Sequence, residues 1–161
     1  RVILQAMARL RNREQLHYVI CGEGPDMPFL QKLTRQLHLE ERVHLLGYRT
    51  DIPDMLGAAD IFCMPSRREG CGMAALEAMA AGLPLITVRS HGTKTYAEKG
   101  ESGFCLKGDL VTSCADAIEQ LADNKLLRRQ MGARNRAAAT AFSDADRMML
   151  LRGYYQKALG D

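Results

Sequence analysis

Short apolar runs alternate with helical stretches along this chain, and that alternation restricts it to few folds. "LHYVICG" (Leu16 to Gly22), "RVHLLG" (Arg42 to Gly47), "DIFCMPS" (Asp60 to Ser66), "PLITV" and "GFCLK" read as strands. Between them lie helical patterns: Val2 to Leu10, Pro28 to Leu39, Ile52 to Ala59, Gly72 to Ala81 and the short "TKTYAEKG". Phe29, Leu30, Leu33 and Leu37 fall near helical spacing in the second of these. Leu110 to Leu121, Lys125 to Ala141 and Asp144 to Leu159 read as three closing helices. Several strands are apolar at consecutive positions, as in strands covered on both faces. The pattern predicts an α/β domain, a Rossmann-like parallel sheet of about five strands with helices on both faces.

The length of 161 residues suits one domain with a real core, so residues 1–161 are read as a single unit. The chain opens "RVILQAMARL", without Met and already in helical periodicity, which suggests a piece of a longer two-domain protein. A net charge of +3 with no Lys/Arg block argues against a nucleic-acid partner. No apolar run approaches the ~20 residues of a membrane span, and no signal peptide is visible. The five cysteines form no CxxC pair and no metal-like spacing with the four histidines. They fit reduced thiols in a cytoplasmic protein.

Ligands of such sheets bind outside the carboxyl ends of the strands. Glycines follow three of those ends here: Gly22 and Gly24, then Gly47, then Gly70 and Gly72. A fourth end carries "RSHG", with His91. The third loop belongs to "SRREGCGMAALEAMAAGLPLI" (Ser66 to Ile86). Its helix begins near Gly72 with no Ser, Thr, Asp or Asn at the cap, so its first N–H groups are open to an anion such as phosphate. Gly82 and Pro84 supply its stop. Glu77 lies among Ala74, Ala75, Leu76, Ala78, Met79, Ala80 and Ala81, in what reads as a closely packed helix. A lone carboxylate there needs a partner or a task, and the diol of a ribose suits it. Glu69 precedes it by eight residues, roughly 80° of helical azimuth, so the two carboxylates are expected on one side.

These residues carry a resemblance. "PSRREGCGMAALEAMAAGLPLI" is similar to the E-x7-E segment of the family-4 retaining glycosyltransferases of GT-B fold. "CGEGPD", "HLLGYRTDIPDMLGAADIFCMPS" and "GESGFCL" extend the match over most of residues 16 to 106. The whole chain resembles the C-terminal, donor-binding domain of such enzymes, closest in style to bacterial capsule and exopolysaccharide glycosyltransferases. The resemblance implies that Glu69 lies by the donor sugar near the reacting centre. It places the backbone of Gly70, Cys71, Gly72 and Met73 at the sugar hydroxyls and diphosphate, and Glu77 at the ribose. Tyr48 and Arg49 would border the base, and Gly22 to Asp26 would either line the cleft or form a plain turn. His91 would stand on the same rim. Arg67 and Arg68 would meet diphosphate or acceptor, or remain solvated. His17, His38 and His44 are assigned no role.

The sequence departs from the family's pattern in places. Thr95 stands where many relatives carry an acidic residue, and Cys71 where they usually have Phe. The first strand, which the family places centrally in the sheet, is missing ahead of Arg1, as is an Arg-x4-Lys pair that grips the diphosphate. The expected function is transfer of a hexose from a UDP or GDP sugar to a glycan or lipid-linked acceptor, with retention. The acceptor would be reached through the missing N-terminal domain. No metal or other cofactor is implied, since a helix N-terminus and cations can do a metal's work at the diphosphate. The expected place is the cytoplasm, with the inner membrane face as a peripheral site. The alternatives are a non-catalytic nucleotide-sugar-binding or scaffold module, and a nucleotide-sugar epimerase of the same build.

Overall fold

The computed structural model describes residues 1–66, 72–89 and 102–142. Helix α1 (Val2–Arg9) leads into strand β1 (Tyr18–Cys21). Then follow α2 (Met27–Gln36), β2 (Val43–Gly47), α3 (Ile52–Ala58) and β3 (Phe62–Met64). Helix α4 (Met73–Ala81), β4 (Leu85–Val88) and β5 (Gly103–Leu106) come next. Helices α5 (Leu110–Asp123) and α6 (Lys125–Ala139) and a 3-10 turn (Thr140–Phe142) complete the described chain. The expected helices at "TKTYAEKG" and Asp144 to Leu159 lie outside the described residues.

All described strand pairs are parallel, as the alternation predicts. They form two sheets, however, where a single one was expected. β1 pairs with β2, and β3, β4 and β5 lie in that order. Periodicity identifies a strand but not its ladder partner, which is a tertiary matter.

The two sheets nevertheless share a core. Ile3, Leu4 and Met7 of α1 pack with Ile86 and Val88 of β4 and with Cys114, Ile118 and Leu121 of α5. Tyr18 and Leu45 of the first sheet border the same cluster, as do Leu30, Leu33 and Leu37 of α2. The opposite face of the second sheet is covered by α4, whose Ala75, Leu76 and Met79 meet Leu83 and Leu85. Strand β4 is thus buried at every residue, because helices press on both of its faces.

Local chemistry sets the helix ends. α2 stops at Gln36, short of the expected Leu39, because His38 adopts a left-handed φ of 54°. That lets the Leu39 N–H reach Thr34 O at 3.0 Å. Asp109 caps α5 by accepting from Val111 N–H at 3.0 Å, and Asn124 caps α6 through Leu127 N–H at 2.9 Å.

Burial in the shared core pushes the Cys114 thiol up from its ordinary 9.0 to about 11. It pushes the Cys63 thiol and the Tyr18 hydroxyl up as well. The unfolded chain therefore loses these protons before the folded one does. The stability they contribute is complete below about pH 8.5 and falls as pH rises through the alkaline range. The denaturant midpoint is expected to drop between pH 8.5 and pH 10.5 at constant ionic strength, and Cys114→Ala should flatten that drop. A midpoint that rises over this range would contradict the assignment.

Candidate functional site

Two loops meet at the carboxyl ends of β1 and β2. Gly22 donates its N–H to Gly47 O at 2.7 Å, with φ of 130° at Gly22 and 67° at Gly47. Both angles lie where L side chains are strained, so glycine is required. The Glu23 carboxylate accepts from Tyr48 N–H at 3.4 Å, joining the loops a second time. Gly24 O accepts from Met27 N–H at 3.1 Å and opens α2. Gly22 and Gly24 are thus brought beside Tyr48, as a shared rim requires. The Tyr48 side chain is open, the residue being 73% exposed. Arg49 is held by its near neighbour: its guanidinium binds both carboxylate oxygens of Asp51. This pairing raises the Arg49 pKa and lowers that of Asp51. The Arg49 side chain is therefore committed locally.

Helix α4 starts as its sequence demands. Gly72 sits at the N-cap with φ 69° and ψ 49°, a left-handed conformation. Gly72 O accepts from Ala75 N–H at 2.8 Å and from Leu76 N–H at 3.1 Å. Among the described residues no side chain caps this end, so the Met73 and Ala74 N–H groups remain available to an anion. Gly82 closes the helix with φ 83°.

Glu77 requires a correction. The apolar run suggests a helix packed all round, but α4 buries only Ala75, Leu76, Ala78 and Met79. Met73, Ala74, Glu77 and Ala80 form one exposed face. Small alanines misled the reading, because they are tolerated on both sides of a helix. Among the described residues Glu77 makes no ion pair or hydrogen bond. Its carboxylate is open to a ligand on the face that begins at the uncapped end. Met73, at the first turn, is 54% exposed.

Glu69, Gly70, Cys71 and His91 lie outside the described residues, as do Arg67, Arg68 and Thr95. Helix α4 spans Met73–Ala81, and the expected common side of Glu69 and Glu77 falls outside the described residues.

Sequence reasoning missed what holds the far end of α4. Asn135 of α6 is 1% exposed, and its amide donates to Leu83 O at 2.6 Å and to Ser102 O at 2.8 Å. Gly132 of α6 lies against Gly82: a Cβ there would stand 2.0 Å from Gly82 O. Arg136 donates to Ala81 O at 2.8 Å, a cation at a helix C-terminus. The spacing of Gly132, Asn135 and Arg136 is visible in the sequence, but nothing local reveals what they touch.

With this geometry in place, comparison with known proteins gives a class and then a family. The fold is one half of the GT-B architecture. It superimposes on the Anabaena protein HepE in complex with UDP with a TM-score of 0.86, 22% identity, and coverage of 98% of this chain and 44% of that one. For the pneumococcal O-GlcNAc transferase GtfA in complex with UDP and GlcNAc, the TM-score is 0.88 at 21% identity, covering 99% and 33%. Residues 1–138 match the family of Glycosyl transferases group 1, and the chain belongs to that family. It is 33% identical over 135 residues to the N-acetyl-alpha-D-glucosaminyl L-malate synthase of Bacillus anthracis, covering 83% of this chain and 35% of that protein. It is 35% identical over 111 residues to an Escherichia coli UDP-Gal:alpha-D-GlcNAc-diphosphoundecaprenol alpha-1,3-galactosyltransferase, covering 68% and 29%. The chain thus spans about a third of the length of these relatives.

Proposed function

We propose that this chain is the donor-binding half of a retaining glycosyltransferase that moves a hexose from a nucleotide diphosphate sugar to a glycan or lipid-linked acceptor. The observation that carries the reading is the start of α4: an uncapped N-terminus at left-handed Gly72, followed by the open carboxylate of Glu77. Oriented N–H groups and a helix dipole suit a diphosphate, and a carboxylate one turn further suits the two hydroxyls of a ribose. Family membership supports the same assignment. UDP is the favoured donor nucleotide over GDP, because the HepE and GtfA structures carry UDP and the Escherichia coli relative is named for UDP-Gal.

On this reading the nucleoside diphosphate departs with its growing charge held by the α4 N-terminus. Glu69 serves at the reacting centre, and the backbone of Gly70, Cys71, Gly72 and Met73 holds sugar and diphosphate. Tyr48 and the Arg49 backbone border the base, Gly22 and Gly24 line the cleft, and His91 stands on the same rim. The nucleotide sugar is the substrate itself, and the reading calls for no resident cofactor. The acceptor is reached through a second domain beyond this chain. Placement is cytoplasmic, peripheral at the inner face of a membrane. No helix among the described residues is long and apolar enough to cross one.

Calorimetric titration of UDP, GDP and their sugar conjugates into the full-length protein tests donor binding, and turnover with and without Glu69→Gln tests catalysis. One nucleotide should bind saturably, and Glu69→Gln should lower turnover with little change in nucleotide affinity. Donor binding without any turnover would favour a non-catalytic binding module. Absence of binding would overturn the reading.

A further inference from the structure

Helix α6 carries a surface that the donor site does not use. Its fifteen residues, KLLRRQMGARNRAAA, contain five cations and no carboxylate. Two of the cations are engaged. Arg128 donates to Leu121 O at 2.6 Å and pairs with Asp60 at 3.5 Å, and Arg136 holds Ala81 O. Lys125, Arg129 and Arg134 are exposed and have no hydrogen bond or ion pair among the described residues.

Their placement around the helix is ordered. At about 100° per residue, Lys125, Arg129 and Arg136 fall within roughly 40° of one another. Ala133, Leu126 and Ala137 occupy the next roughly 40°, and Arg134 lies about 60° beyond. All seven residues are exposed, and Leu126, near the middle, is 66% exposed. The outer face of α6 is therefore a short apolar strip, edged by the exposed Gln130 on its Arg134 side and flanked by long cationic side chains. Met131, Gly132 and Asn135 on the inner face anchor it to the domain.

We infer that the outer face of α6 is a docking surface for the headgroups of an anionic lipid bilayer. Arg and Lys side chains can pair with lipid phosphates while their methylene stems and Leu126 reach the acyl boundary. Charge complementarity selects anionic over zwitterionic lipid. A nucleic acid fits this face less well. It offers no aromatic ring on which a base would stack, and an exposed leucine at its centre has no use in a hydrated polyanion groove. The inference concerns a surface separate from the Gly72–Glu77 site and stands or falls independently of the donor reading.

Vesicle co-sedimentation of the full-length protein tests it. Vesicles of mixed phosphatidylglycerol and phosphatidylcholine should bind the protein at low salt, and pure phosphatidylcholine should not. The Lys125→Glu/Arg129→Glu/Arg134→Glu variant should partition at least about tenfold less, and raised salt should release the wild type. Circular dichroism and nucleotide titration on the same variant should match the wild type, which separates this outcome from any failure at the donor site. Should the triple variant not fold, Leu126→Ser and Arg129→Gln serve, each expected to reduce binding by about threefold or more. Binding unchanged by these substitutions, equal binding to pure phosphatidylcholine, or absence of binding to anionic vesicles would overturn the inference. So would retention on heparin without any binding to vesicles.

Discussion

Glu77→Ala is expected to weaken nucleotide binding by about 100-fold or more while leaving folding intact. A hydrogen bond to a charged acceptor contributes about 1.5–3 kcal/mol, and a ribose diol places two of them on this carboxylate. The energies are not additive, so about 3 kcal/mol, near a factor of 150, is a reasonable total. Stability should barely change, because the side chain is exposed and has no partner among the described residues. Such surface substitutions usually fall within about ±0.5 kcal/mol. Glu77→Gln keeps one carbonyl acceptor and should lie between. Calorimetric titration of UDP into each variant, with a thermal melt alongside, reads both quantities. Unchanged UDP affinity in Glu77→Ala would remove the ribose assignment. A large loss of stability would mean that the carboxylate is structural.

The second large effect is at the opposite end of the same helix. Asn135→Leu should destabilise the protein by about 3 kcal/mol. Among the described residues the amide is the sole side-chain donor to Leu83 O, and it shares Ser102 O with the Leu85 N–H at 2.9 Å. Leucine removes both donors and presents a branched apolar tip to two carbonyls at a position only 1% exposed. For a domain of this size the melting midpoint should fall by roughly 6–12 °C. Gly132→Ala should also be costly, since its Cβ would meet the Gly82 carbonyl, which is backbone and cannot rotate away. A thermal melt within about 2 °C of wild type for both variants would show that α6 does not hold α4. Both variants leave the donor-facing residues in place, so any residual folded protein should still bind nucleotide.

The sequence was informative where the physics is local. α4 lies between Gly72 and Gly82 as the motif predicts, because both glycines take left-handed angles that favour their kind. Gly22 and Gly47 mark strand ends for the same reason. β4 reads as buried because it is apolar at consecutive positions. The reading failed where a residue's environment comes from distant chain. Alanines around Glu77 suggested full burial, yet the face with Met73 and Glu77 is open, and only the packing of α4 against β4 and α6 decides which side is which. Arg49 reads as bordering the base, and only the structure shows that Asp51, two positions on, holds its guanidinium.

By itself, then, the sequence determined the succession of strands and helices, the glycine-marked loops, the bounds of α4 and the family. These follow from backbone stereochemistry and side-chain period, which act over a few residues. Tertiary structure alone decided that the five described strands form two parallel sheets around a common core. It also decided that Glu23 joins the Gly22 and Gly47 loops, and that Asn135 and Gly132 fix the end of α4. Those contacts join residues 25 to 52 positions apart. Their energy depends on which surfaces the fold brings together, and no local pattern encodes that.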